Sequence, residues 1–302
     1  MKVFVAGGSG TIGIPLVQAL VSAGHQVTAL THSLEKQPLL RGLGATPAVA
    51  DALDAAALKI AVAAARPAVV IHELTALPKG GARRASDLAA TNRLRIDGTR
   101  NLLDAAISAG ARRLIGGSFA LIAEPRPDLP RSARAGADAL AAMETQILEA
   151  NDAGRIEGVV LRYGLFYGPH NPATEQMIGL VRRRMLPVVR GDRGLLPCIH
   201  VDDAVSATVA ALDRGIPGHV YDIVDDRPVS MTDIVKTIAE YTGSPAPLAV
   251  PAWVLRVLSP YLAGIIALRA PLSNAIARAE LGWQPRFSTW RDGLSEMLAR
   301  AA

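Results

Sequence analysis

Cysteine is nearly missing from this chain of 302 residues: Cys198 is the only one. A single thiol closes no intrachain disulfide and builds no thiolate metal cluster, so the expectation is a reducing, cytoplasmic setting. Aromatic residues make up only 4% of the chain, too few beside the basic groups for a base-stacking platform. Lysine is scarce as well. The net charge of +5 rests on 27 Arg against 5 Lys, and the arginines are scattered. Their single triple, Arg182-Arg183-Arg184, reads as a solvated helix face, and no nucleic-acid partner is expected. No apolar run is long enough to span a membrane, because the stretch 250–268 is broken by Pro251, Arg256, Pro260 and Gly264. Met1-Lys2 passes straight into Val3-Phe4-Val5-Ala6 and glycine, which does not look like an export signal. No His and carboxylate set has metal spacing, and no Ser-His-Asp arrangement stands out, so no metal is expected.

What is present is a strict alternation. Residues 2–6, 26–30, 47–50, 68–72, 113–117 and 158–163 are short apolar runs rich in Val, Ile and Leu. Helical patterns at 12–23, 55–65, 88–109 and 135–153 lie between them. Strands apolar on both faces and separated by helices predict right-handed β-α-β units in an α/β, Rossmann-type doubly wound parallel sheet. Past Gly164 the pattern loosens and proline and glycine crowd in. Residues 1–165, joined by about 198–224, are expected to form the nucleotide-binding domain. Residues 166–197 and 225–302 are expected to form a smaller, mostly helical C-terminal substrate lobe.

Directly after the first strand comes Gly7-Gly8-Ser9-Gly10-Thr11-Ile12-Gly13. The spacing Gly7-x-x-Gly10-x-x-Gly13 between strand and helix is the context a dinucleotide-binding turn requires. Gly7 permits the tight turn, Gly10 lets backbone approach a pyrophosphate, and Gly13 lets helix and strand pack closely. The helix amino end then offers free N–H groups and a positive dipole to phosphates. The second strand ends in Thr31-His32-Ser33 and has no acid before Glu35. A carboxylate there would accept from a ribose 2′-hydroxyl. Ser33, His32 and Lys36 would instead tolerate a 2′-phosphate, so NADP(H) is expected over NAD(H).

With these residues in hand the chain resembles the extended short-chain dehydrogenase/reductase family of the NAD-dependent epimerase/dehydratase type. The resemblance covers almost the whole length. Besides the glycine turn it is carried by Gly44-Ala45-Thr46…Ala50-Asp51, by Asn92…Gly98-Thr99-Arg100-Asn101-Leu102-Leu103 and by Leu161-Arg162-Tyr163-Gly164…Tyr167-Gly168-Pro169. Ile199-His200-Val201-Asp202-Asp203-Ala204 and Ala279-Glu280-Leu281-Gly282-Trp283 match two late signatures. The resemblance implies that Asp51 meets the adenine, and that Thr11, Ile12, Leu74, Ser118 and Tyr163 join the glycines, His32 and Ser33 around the cofactor. It also implies a Ser-Tyr-Lys triad, and here the chain departs. No Tyr precedes Tyr163 and no Lys lies between Lys79 and Lys236. Gly136 and Leu140 take the Tyr and Lys positions and Phe119 the Ser position. Leu165 and Leu196-Pro197 stand where sugar-nucleotide members keep an Asn and an Arg.

Few polar groups remain near the carboxyl ends of the strands, where ligands of open α/β sheets bind. Tyr163, Tyr167 and His170 flank the loop after strand six. His72 and Glu73 end strand four, Ser118 ends strand five, and Asp138 lies near the vacant Tyr position. Tyr167, His170 and Ser118 are the candidate catalytic residues. Tyr without a cation beside it is a weak base but a usable donor, and His can supply a proton at neutral pH. Trp253, Leu255, Val257, Leu258, Tyr261, Leu262, Ile265 and Ile266 either line an apolar pocket or pack the lobe's core. The expected function is an NADP(H)-dependent oxidoreductase reducing a C=O, C=N or activated C=C of a small, fairly apolar molecule. A cofactor-binding regulator or scaffold without redox chemistry, and a non-redox isomerase or cyclase, stay open beside it. A homodimer through helices 88–109 and 135–153 would follow family habit.

Overall fold

In the computed structural model, which describes residues 1–78, 81–123 and 129–299, the first half of the chain alternates as its apolar periodicity requires. The elements are β1 (Lys2–Ala6), α1 (Gly13–Ser22), β2 (Gln26–Thr31), α2 (Gln37–Gly42), β3 (Thr46–Val49), α3 (Ala55–Ala65) and β4 (Val69–His72). There follow α4 (Ala89–Arg93), α5 (Thr99–Ser108), β5 (Arg113–Phe119), α6 (Arg131–Asp152) and β6 (Glu157–Tyr163). The second half holds β7 (Leu165–Tyr167), α7 (Pro172–Arg182), β8 (Val188–Val189), β9 (Cys198–His200), α8 (Val201–Arg214) and β10 (Val220–Ile223). It ends with α9 (Met231–Tyr241), β11 (Ala249–Val250), α10 (Ala252–Leu258), α11 (Pro260–Ile266), α12 (Ala275–Leu281) and α13 (Trp290–Ala299).

Seven strands form one sheet in the order β10-β6-β5-β4-β1-β2-β3, with every pairing parallel. The doubly wound expectation holds. Successive residues of β1 point to opposite faces, and each face has its own core. Val3 and Val5 meet Leu16 and Leu20 of α1 together with Ala204 and Leu212 of α8. Phe4 and Ala6 meet Leu58 and Val62 of α3, Leu102 of α5, and Leu140 and Ile147 of α6. A third cluster lies in the irregular second half, where Tyr167, Ile178, Ile234, Ile238, Trp290 and Leu294 pack around Cys198. Two small parallel pairs, β7 with β9 and β8 with β11, frame it.

Helix ends follow the side chains at hand. Asp54 caps α3 by accepting from the N–H groups of Ala56 and Ala57, each at 3.0 Å, and Asn171 does the same for α7. Two boundaries differ from expectation. The pattern over 88–109 is interrupted at Leu94–Gly98, where the helix widens into a π segment before α5 resumes. Gly98 is a poor helix former, and the wider turn carries Arg95 inward, 7% exposed. Residues 220–223 were not expected as a strand, yet β10 closes the sheet beside β6. The apolar set on α10 and α11 is also split. Trp253, Val257 and Leu258 are exposed, whereas Tyr261 and Ile265 pack against the core beneath α6. No helix among the described residues is long and apolar enough to cross a membrane.

Below the carboxyl edge of the sheet lies an enclosed ion pair. Glu144 of α6 meets Arg162 of β6 at 2.7 Å and accepts from the Ser118 hydroxyl at 2.5 Å. Glu144→Ala would remove the carboxylate that Arg162 and Ser118 share, and breaking one side of a buried pair costs about 3–5 kcal/mol. Thermal or denaturant unfolding should show a loss of that order for E144A. The paired change Glu144→Leu with Arg162→Met should recover most of it.

Candidate functional site

The sheet order reverses between β1 and β4, so their carboxyl ends open a crevice. The glycine turn fills one wall of it. Gly7 has φ +95°, accepts from the Gly10 N–H at 3.0 Å, and lies so close to Gly13 that a side chain at 13 would strike its carbonyl. α1 begins at Gly13 with Ile12 at its cap position and no side-chain cap. The Ile14 N–H donates to the Gly10 carbonyl at 3.1 Å and Pro15 has none, so the donors left for a ligand are the Thr11, Ile12 and Gly13 N–H groups that lead into the helix. A Cβ on Gly10 would meet only the Gly7 carbonyl, at 3.2 Å. This bare, uncapped helix end fits the pyrophosphate of a dinucleotide. Thr11 is exposed beside it and Ile12 is buried beneath it.

On one side of the turn the end of β2 is shaped by Thr31, whose buried hydroxyl oxygen accepts from Ser9 Oγ at 3.1 Å and the Ser33 N–H at 3.2 Å. His32 is exposed and Ser33 half-buried. Asp51, after β3, is exposed and accepts from the Leu53 N–H. An adenosine lying over β2 and β3 with its phosphates on the Gly7–Gly13 turn leaves the far end of the cofactor over β4, β5 and β6.

That far end is where buried titratable groups gather. The Glu73 N–H donates to the Ala6 carbonyl at 2.8 Å, and its own carbonyl lies against Gly7. Its carboxyl reaches across β5, over the missing side chain of Gly117, to the Tyr163 hydroxyl at 3.0 Å. Tyr163 Oη lies 2.7 Å from Thr208 Oγ1, and Thr208 donates to the Ala204 carbonyl at 2.7 Å. Three contacts thus share two hydroxyl protons. All three are filled only when Glu73 carries a proton of its own. Burial works the same way and pushes the Glu73 carboxyl up to about 8, against the opposing pull of the Tyr163 hydrogen bond. Burial also raises Tyr163, with the Glu73 charge acting in the same sense. On the opposite face His72 accepts from the Leu74 N–H through Nδ1 and meets Thr99 Oγ1 through Nε2 at 2.8 Å. Burial and the neighbouring Arg95 hold its pKa down to about 4, so the ring is neutral and donates to Thr99. Leu74 is half-buried against the core under α3, α5 and α6.

The three expected catalytic side chains are not brought together. Tyr167 is 1% exposed, and its hydroxyl is bonded to Asp225 at 2.9 Å and to the Thr289 carbonyl at 3.2 Å. Burial and Asp225 raise its pKa far out of reach, so it ties the lobe together rather than offering a proton. Ser118 is spent on Glu144 beneath the sheet. His170 is exposed in a left-handed turn with φ +60°, just before the Asn171 cap. Of the residues expected at the relay positions, Gly136 and Leu140 are buried and apolar and Phe119 is half-buried, and Asp138 near them is exposed. Sequence reasoning named Glu73 only as an end of strand four, and it missed Arg95.

Comparison with known proteins agrees with this geometry. Residues 3–223 match the NAD dependent epimerase/dehydratase family. A 3-diazoavenalumate denitrifying reductase from a Streptomyces species is 38% identical over 97% of this chain and 99% of its own. A 4-hydroxy-2-methyl-3-oxo-4-farnesyl-3,4-dihydroquinoline-1-oxide ketoreductase from Stigmatella aurantiaca is 32% identical over 80% of this chain and 74% of its own. Among solved structures, the Thermus thermophilus UDP-glucose 4-epimerase in complex with NAD superposes with a TM-score of 0.78 at 23% identity. That match covers 99% of this chain and 98% of the other, and it shows the fold.

Glu73 makes the free protein's stability depend on pH. A carboxyl whose pKa is higher folded than unfolded stabilises fully below its unfolded value of 4.5, and that contribution is lost as pH rises through about 8. Glu73→Gln does not titrate. Melting curves of the two proteins between pH 5 and 9 should therefore diverge, with E73Q gaining steadily on the parent as pH rises. Parallel curves would show that Glu73 is ordinary.

Proposed function

The chain belongs to the NAD dependent epimerase/dehydratase family, and from this we propose that it is a nicotinamide-dependent oxidoreductase with an atypical active site. It prefers NADP(H) and reduces a small, fairly apolar organic substrate. One observation carries the reading: the cofactor turn Gly7–Gly13 is intact and uncapped, while Phe119, Gly136 and Leu140 hold the three protic positions of the family's relay. Cofactor binding is kept and proton delivery is rearranged. Thr31, His32 and Ser33 at the end of β2 support the NADP(H) preference, since no carboxylate stands there to repel a 2′-phosphate.

The bound nicotinamide supplies a hydride. This chain's residues would hold the ring end between Glu73 and Tyr163 on one side and Leu74 and Phe119 on the other. For a C=O, C=N or activated C=C acceptor, Glu73, neutral below about 8, is the proton-bearing group at that end of the crevice. A second reading follows from the 38% identical reductase, whose name records a diazo substrate. An aryl diazonium takes hydride at its terminal nitrogen and then loses N2, leaving a C–H bond. It needs no proton donor, so a site stripped of the Tyr-Lys pair suits it.

Two measurements test the proposal. Cofactor-stripped protein titrated by nicotinamide fluorescence should bind NADPH roughly ten times more tightly than NADH, a difference of about 1.4 kcal/mol. Enzyme saturated with NADPH should then oxidise it with at least one member of a panel of ketones, imines, enones and aryl diazonium salts. Binding without hydride transfer to any of them would leave a cofactor-holding regulator or scaffold. Gly10→Ala separates turn from fold. Its Cβ would meet only the Gly7 carbonyl, a tight 3.2 Å contact that a shift of a few tenths of an ångström relieves, so the melting temperature should hold within about 2 °C while NADPH affinity falls at least roughly tenfold.

A further inference from the structure

The structure assigns Arg95 as the anchor for an anionic group on the substrate, so that the molecule reduced here is an apolar body bearing a carboxylate. The inference rests on the reductase reading above and narrows its substrate class.

Among the described residues three arginines are enclosed by the fold, and two of them are balanced. Arg113 pairs with Glu157 at 2.8 Å and donates to the Ala211 and Leu212 carbonyls. Arg162 pairs with Glu144 at 2.7 Å. Arg95 is 7% exposed and makes a single long hydrogen bond, 3.4 Å to the neutral Asn92 Oδ1. Among the described residues no carboxylate pairs with it. A buried guanidinium with five donors and one weak acceptor is expensive to maintain, and its cost is offset when a planar anion docks on the fork.

Its position says which anion. α5 starts at the carboxyl edge of the sheet, where Thr99 meets His72, the last residue of β4. Arg95 lies one turn before Thr99, so it stands beyond that edge and acts on His72, at the end of the sheet that the cofactor's far end would approach. Asn92 is fixed by donating to the Ala135 carbonyl at 3.2 Å, next to Gly136 at the vacated Tyr position. From the lobe, Tyr261 of α11 faces the guanidinium, and the two bias each other's ionisation. Asn92, His72 and Tyr261 are the groups that act on Arg95, and Leu74, Leu94, Phe119, Tyr261 and Ile265 pack on the core of that face of the sheet. A ligand filling this space therefore presents hydrocarbon or an aromatic ring to these side chains and one anionic end to Arg95. Among the described residues Arg95 is the one enclosed cation without a carboxylate partner.

The probes are trans-cinnamate and 4-phenylbutyrate, each beside its primary amide, titrated into NADPH-loaded full-length protein by calorimetry. The carboxylates should bind at least roughly tenfold more tightly than the amides, the gap expected of a charge-assisted contact. Arg95→Gln should erase that gap while leaving NADPH affinity within about twofold. The same variant should melt higher than the parent when both are free of ligand, because an uncompensated charge has been removed. Equal affinity for acid and amide in the parent protein overturns the assignment without any variant. So does a preference for the acid that survives in R95Q. If NADPH fails to bind, the reductase reading falls instead, and the acid–amide comparison on the cofactor-free protein still decides the role of Arg95.

Discussion

The contact on which everything else is built is the approach of backbone to backbone around Gly7. Its carbonyl lies where a side chain on Gly13 would be, and its own α-carbon faces the Glu73 carbonyl. Remove either clearance and α1 can no longer seat against β1, nor can β4 run beside β1 at its present register. Three elements meet there with no side chain between them. The crevice at the point where the sheet order reverses is the direct result. The open helix end, the rim of β2 and the carboxyl terminus of β4 are all placed by that one close approach.

Charge is distributed around the sheet in two different manners. Away from the crevice it is balanced: Glu144 answers Arg162 and Ser118 below the carboxyl edge, and Glu157 answers Arg113 at the amino edge. At the carboxyl edge it is unbalanced. Glu73 has only a phenol for company and holds its proton to about 8, and Arg95 has only an amide oxygen. Balanced groups hold a fold together, whereas isolated ones are tolerated where a ligand completes them.

Much of this was legible in the sequence. The alternation of Val-rich strands with helices led to the parallel sheet, because period and apolar content are local properties. The glycine spacing led to the turn for the same reason. Trouble began where side chains find partners far along the chain. Tyr167 looked available in a loop motif, yet its hydroxyl is consumed by Asp225, 58 residues on. Ser118 looked like an exposed strand end, yet its hydroxyl donates to Glu144 of α6. Arg95 was hidden inside a helical pattern whose local widening no propensity scale anticipates. The short β10 was hidden because four residues at a sheet edge carry almost no periodic signal.

Cys198 acquires a use from its surroundings. It is the only cysteine of the chain, 1% exposed, in a strand paired to β7, with its carbonyl accepting from Asp225 at 2.7 Å. Burial lifts the thiol well above its ordinary pKa, so it stays unreactive while the strands are joined. A thiol-labelling reagent can reach it only during excursions in which β7 and β9 part. The native chain thereby contains its own clock for sub-global opening, read from the labelling rate without any engineered probe.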